Sequence, residues 1–168
     1  MNDHYKLILS RIDTYISSVN TKGGLIVAFC TFLFGSIVSK YSDLKPLIET
    51  CERPELITWL IITMFIISLS SIFLVGLAVF PYLKSGNSST KKYHSLMFFN
   101  SIAEFETPDE YYKELKGQKI EDLEKDIKFQ IHVLSKGLKR KFQFIGWAMR
   151  LFFLDLIILL TITILILY

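Results

Sequence analysis

LITWLIITMFIISLSSIFLVGLAVF, residues 56–80, is a run of 25 residues without a charged side chain, and it stops at Pro81. A helix needs roughly 20 apolar residues to cross a hydrocarbon core of roughly 30 Å. No water in that core can satisfy the peptide groups, so the segment must close its hydrogen bonds internally, as a helix. The run therefore predicts a transmembrane helix over 56–81, with Pro81, which lacks an N–H, as its stop.

Working back from it, residues 41–55, YSDLKPLIETCERPE, carry two prolines and mixed charges. They read as an external loop with one helical turn, short enough to force a hairpin. Residues 24–39, GLIVAFCTFLFGSIVS, are again uncharged and are flanked by Lys22 and Lys40. This predicts a first transmembrane helix over 24–40, completed by a small tilt or by lysines reaching to the headgroups. Residues 1–23 place Ile8, Ile12, Tyr15, Ile16 and Val19 at helical spacing among polar residues, so they form an amphipathic helix too polar to cross. They contain no short apolar core with a small-residue cleavage site, and the first span is read as a retained anchor.

Beyond Pro81 the composition turns soluble. SGNSSTKK is a flexible stretch, SLMFFNSIAEFETPDEYYKEL a turn and a short helix, and a long amphipathic helix starts near Ile120. Its stripe of Leu123, Ile127, Ile131, Leu134, Leu138, Phe142 and Ile145 leads directly into the apolar run from Leu151 to Tyr168. The expected organisation is a helical cytoplasmic region over 82–143 and a third span over 144–168, with one helix passing through both. The fold class is thus an all-α membrane protein with three transmembrane helices, an amphipathic N-terminal helix and a helical segment between spans two and three.

The apolar fraction of 51% barely exceeds that of soluble proteins, so the distribution of charge, rather than its average, decides the class. Basic residues set the orientation. The 41–55 loop and its flank hold Lys40, Lys45 and Arg53, against twelve lysines and arginines from Lys84 to Lys141. The positive-inside rule places the large segment and the N-terminus in the cytoplasm and Tyr168 outside.

From Ile127 to Leu154 there are six cations, Lys128, Lys136, Lys139, Arg140, Lys141 and Arg150, and no carboxylate. Lys125, Lys128, His132, Lys136 and Lys139 fall on one helix face, opposite the apolar stripe. Such a row meets anionic lipid headgroups. It equally suits a phosphate-bearing ligand held by Lys125, Lys128, His132, Lys136, Lys139, Arg140 and Lys141, with Tyr93, Phe98, Phe99, Tyr111 and Tyr112 as stacking platforms or as ordinary core.

Gly24, Ala28, Thr31, Gly35 and Ser39 lie along one side of the first span, a face for close helix packing within or between protomers. Alternatively Thr31, Gly35 and Ser39 line a narrow pore, which requires an oligomer because three helices cannot enclose a channel. Asp155 lies about one turn inside the third run, behind Arg150. Intramembrane carboxylates are costly and mark ion paths, unless the helix slides to leave them near water.

No catalytic residue, metal site or cofactor site is expected. His4, His94 and His132 lack HExxH spacing, Cys30 and Cys51 lack metal-ligand spacing, and no P-loop or GxSxG elbow occurs.

NTKGGLIVAFCTFLFG (20–35), SLMFFNSIAEFETPDEYYKEL (95–115) and DLEKDIKFQIHVLSKGLKRKFQFIGWAMRLFF (122–153) together resemble the small transmembrane effectors of bacterial anti-phage signalling typified by the Pycsar transmembrane effector. The resemblance covers nearly the whole chain. It implies a toxic effector in the bacterial inner membrane, controlled by a nucleotide signal from a cyclase or nucleotidyltransferase partner. The Hailong type of defence is similar in having a small channel-like effector held inactive by single-stranded DNA. The resulting expectation is a homo-oligomeric channel or pore, a tetramer being a guess, that binds a nucleotide or oligonucleotide. The alternative is a non-conducting membrane scaffold that recruits a partner protein.

Overall fold

The structure, a computed structural model, describes residues 3–80 and 95–167. The SGNSSTKK stretch, Tyr93 and His94 lie outside the described residues. Among the described residues six helices follow in order: α1 Asp3–Ser39, α2 Tyr41–Glu49, α3 Pro54–Val79, α4 Phe99–Ile102, α5 Pro108–Gly117 and α6 Ile120–Leu167. Among the described residues there is no strand, and α1, α3 and α6 are long and apolar enough to cross a membrane. The protein is an all-α membrane protein with three such helices.

α1 is one helix through both the amphipathic lead and the first apolar run, since nothing between Asn20 and Gly24 breaks it. The expected loop at 41–55 contains a full nine-residue helix, α2, which buries Ile48. Pro54 takes the first position of α3, where a missing N–H costs nothing.

The chain divides into two compact units, Met1–Ser17 with Pro81–Arg140, and Ser18–Phe80 with Lys141–Tyr168. The second unit is the membrane bundle. Its inward residues are Val19, Gly23, Ile26, Cys30 and Leu33 on α1, and Met64, Ser68, Ser71, Val75 and Ala78 on α3. α6 contributes Lys141, Ile145, Ala148, Asp155, Ile158 and Ile162. Each set steps by four and three residues or their sum, the 3.5-residue repeat with which helices keep one seam facing a neighbour. α3 is apolar all round, so this seam is visible in its small and hydroxyl residues rather than in hydrophobicity. Lys141 reaches Ala78 while Asp155 reaches Ser68, so α3 and α6 run antiparallel.

The bundle has two apolar clusters. One gathers Val19, Ile26, Cys30, Val75, Ala78, Ile145 and Ala148; the other gathers Ile48, Ile57, Met64, Ile158 and Ile162. Gly23 permits the close approach of α1, because a Cβ there would lie 2.8 Å from Val75 Cγ1 and 3.3 Å from Val79 Cγ2. Valine is stiff at χ1 in a helix and yields little.

The first unit is organised by a buried carboxylate. Asp126 Oδ2 accepts hydrogen bonds from Ser95 Oγ at 3.0 Å and from the Leu96 N–H at 2.9 Å. Ser95 Oγ in turn accepts from the Met97 and Phe98 N–H groups, and the Tyr111 hydroxyl donates to the Leu96 carbonyl at 3.2 Å. Thr107 caps α5 by accepting from the Glu110 N–H. Asp126→Ala leaves the buried Leu96 N–H without its acceptor, at a cost of about 2 kcal/mol. Limited proteolysis of the membrane-embedded protein should show faster cleavage within 95–118 in that variant, with the bundle unaffected.

Candidate functional site

Ser68 is the middle residue of the uncharged run 56–80, twelve positions from either end. At 1.5 Å per residue this puts it about 18 Å from both ends of the run, near the bilayer centre. Its hydroxyl donates to Asp155 Oδ2 at 2.6 Å. Asp155 is fully buried, and among the described residues its second oxygen, Oδ1, has no hydrogen-bond partner. The carboxylate is therefore held in the interior of the bundle at mid-depth, away from water. Ser71, one turn along α3, donates to the Ala148 carbonyl at 3.1 Å, and Cys30 lies beside both serine hydroxyls. Sequence reasoning missed these partners. The signal was Ser68 and Ser71, three apart and so on one helix face, whereas Ser70 between them is exposed and donates back to the Ile66 carbonyl.

The small-residue face of α1 has a different position. Gly24, Ala28, Thr31, Gly35 and Ser39 are all exposed, and a Cβ on Gly24 or Gly35 would meet nothing within 4 Å. α1 packs on its own bundle through the Gly23, Ile26, Cys30 and Leu33 face. Thr31, Gly35 and Ser39 are thus open to the surroundings while Asp155 is enclosed, and one protomer does not bring the four together.

On α6, Lys125, Lys128, His132, Lys136, Lys139 and Arg140 are exposed. Lys125 pairs with Asp122 at 3.4 Å and Lys128 with Glu124 at 3.7 Å, solvent-exposed pairs that hold little energy and leave both ammonium groups available. Lys128 also lies over the Tyr5 ring, 5.9 Å from its centroid. The Tyr5 hydroxyl, and after it Glu124, hold the Lys128 ammonium above the usual lysine range. Of the expected stacking residues, Phe99 and Tyr112 are well exposed.

Lys141 departs from that row. Its ammonium is turned inward and donates to the carbonyls of Ala78, Val79 and Phe80 at 2.7, 3.1 and 3.0 Å, the last acceptors of α3. Among the described residues it has no carboxylate partner. A cation at a helix C-terminus meets the negative end of the dipole and satisfies carbonyls that have no intrahelical donor. Arg150, by contrast, is exposed and stacks on Trp147, 4.6 Å from the ring centroid, an arrangement that draws its charge back toward the membrane surface.

Three apolar helices joined by a helical polar region, with an enclosed carboxylate in the bundle, define an all-α membrane protein. A family model described as the Pycsar effector protein domain matches residues 4–168. The chain belongs to that family: it is a transmembrane effector of anti-phage defence, a class that comprises effectors rather than enzymes. Comparisons with curated proteins and with solved structures each found no match.

Lys141→Ala should lower stability by about 2 kcal/mol, because it removes a charged donor and leaves three carbonyls at the end of α3 uncapped. Thermal unfolding in detergent checks this. Arg140→Ala, one residue away, is expected to shift the midpoint much less.

Proposed function

We propose that the effector forms a homo-oligomeric ion channel or pore in the bacterial inner membrane. In this reading its basic cytoplasmic helix binds a nucleotide or single-stranded DNA signal supplied by a cyclase or nucleotidyltransferase partner. The observation that carries this reading is the outward face of α1. Gly24, Ala28, Thr31, Gly35 and Ser39 present backbone and hydroxyl groups where a lone helix in lipid would present large apolar side chains. Small residues let helices of different protomers approach closely. Thr31 and Ser39 supply the polar atoms that a water-filled lumen requires. A tetramer is the working assembly, as one closed cyclic form among several.

The signal site is the exposed row Lys125, Lys128, His132, Lys136, Lys139 and Arg140. Several cations in a line suit a polyanion better than a single cyclic phosphate, which needs only a few donors. Lys141 is left out of the site, since its ammonium caps α3. Anionic lipid is the competing occupant of the row, and a non-conducting scaffold is the competing function.

Filling the small-residue face tests the assembly. Cells induced to express Gly35→Leu should keep their membrane potential, read with a voltage-sensitive dye, while the parent chain depolarises them at equal membrane abundance. Unchanged depolarisation would remove the pore assignment of this face. For the signal, reversal of Lys128, Lys136 and Lys139 to glutamate should abolish binding of a single-stranded oligodeoxynucleotide. In the parent, log K should fall linearly with log salt. Binding indifferent to salt would contradict the basic row as a phosphate site.

A further inference from the structure

We propose that the α2 end of the membrane bundle holds one phospholipid whose head carries both a phosphate and a primary ammonium. The site needs only the three spans, and it stands whether or not the protein conducts ions. A cavity of about 480 Å³ opens there, and every residue that lines it belongs to the membrane unit. One wall is the turn from α2 to α3, Thr50 to Arg53; the other is Ile57 with the last turn of α6, Ile164 to Leu167. The cavity is therefore polar on one side and apolar on the other, which suits an amphiphile.

Depth selects a lipid over a soluble ligand. Ser68 lies near the bilayer centre, and at 1.5 Å per residue Ile57 is about 16 Å and Arg53 about 22 Å from it along α3. Half of a hydrocarbon core is roughly 15 Å, so Ile57 stands at its edge and Arg53 among the headgroups. Ile57 is buried in the cluster with Ile48, Ile158 and Ile162, while Ile164 and Leu167 are exposed at the rim. A lipid lying against these residues keeps its chains in hydrocarbon and its head beside the turn.

The turn is fixed by its own hydrogen bonds. Thr50 Oγ1 and Cys51 Sγ both donate to the Leu47 carbonyl, at 2.8 and 3.1 Å, and the Thr50 and Cys51 N–H groups donate to the Pro46 and Ile48 carbonyls. Glu52 and Arg53 thus extend from a settled backbone. Both are exposed, and among the described residues neither has an ion pair, although the neighbouring charges do: Lys40 pairs with Asp43 and Lys45 with Glu49. The Arg53 guanidinium offers a planar fork of donors that matches a phosphate. Arg53 also directly precedes Pro54, so a phosphate held there meets the positive end of the α3 dipole. Glu52 only accepts hydrogen bonds, and an ammonium is its partner. Arg53 by itself would take any phospholipid. Glu52 beside it repels a head that is only anionic, and a quaternary ammonium has no N–H to give it, so the pair selects a primary ammonium.

The test titrates the full chain, purified in detergent, with phosphatidylethanolamine, phosphatidylglycerol and phosphatidylcholine of identical acyl chains, and native mass spectrometry counts the lipids retained. The basic row and Arg150 also attract phosphate heads, so the readout is the difference between parent and variants. The parent should retain one phosphatidylethanolamine at a concentration about fivefold lower than it needs for either other lipid. Arg53→Ala should lose this retention, and Glu52→Gln should keep a lipid but lose the preference among heads. Equal retention of the three lipids by the parent overturns the proposal, as does a preference for phosphatidylethanolamine that survives in both variants. Thr50→Trp fills the cavity and leaves both charges in place. Loss of the lipid in that variant supports a built site, whereas unchanged retention assigns binding to two surface charges and overturns it.

Discussion

The hydrogen bond between Ser68 and Asp155 constrains everything around it. A carboxyl group at the centre of a bilayer has no water to turn to, so its burial is tolerable only where the bundle supplies a donor. Interhelical hydrogen bonds of this kind contribute roughly 0.6 to 2 kcal/mol, and the alternative is an unsatisfied polar group in hydrocarbon. The bond at 2.6 Å therefore sets which face of α6 meets α3 and at what height. Ser71 on Ala148 and Lys141 on the last carbonyls of α3 repeat the constraint at two further levels. Three polar contacts along one seam define the register of two helices whose remaining contacts are interchangeable apolar ones.

With α6 and α3 fixed in this way, α1 completes the bundle through the face that carries Gly23. The far face, from Gly24 to Ser39, is left outward. The two faces share one helix and lie about 160° apart around its axis. In the proposed channel this outward row of glycine, alanine, threonine and serine is the surface that would meet a copy of the same chain. The enclosed carboxylate belongs to the protomer, and in that proposal the outward small-residue face belongs to the assembly.

The spans were legible because the bilayer imposes a length and an absence of charge that any sequence must display, and residues 56–80 display both. The all-α class followed from the same constraint. The interior of the bundle was far less legible. α3 is apolar on every side, so hydrophobic periodicity cannot say which face is inside, and the deciding residues, Ser68 and Ser71, are common in spans. Asp155 was recognisable as unusual, but its depth depended on its partner, a long-range pairing that one sequence does not reveal. Lys141 looked like its basic neighbours and was grouped with them. Its separate role as a cap of α3 arises because position 141 falls on the inward seam, four residues before Ile145, while Lys136, Lys139 and Arg140 fall outside it. Asp126 was hidden among the mixed charges that precede the basic row.

The central claim is that the outward face of α1 meets a second copy of the chain while the Gly23 face does not. Disulfide cross-linking in native membranes measures this directly, with single cysteines placed in a background lacking Cys30 and Cys51. The account predicts that Gly35→Cys gives a covalent dimer on mild oxidation and that Gly23→Cys gives none. A chain that stays monomeric at Gly35, or that links instead at Gly23, would contradict it.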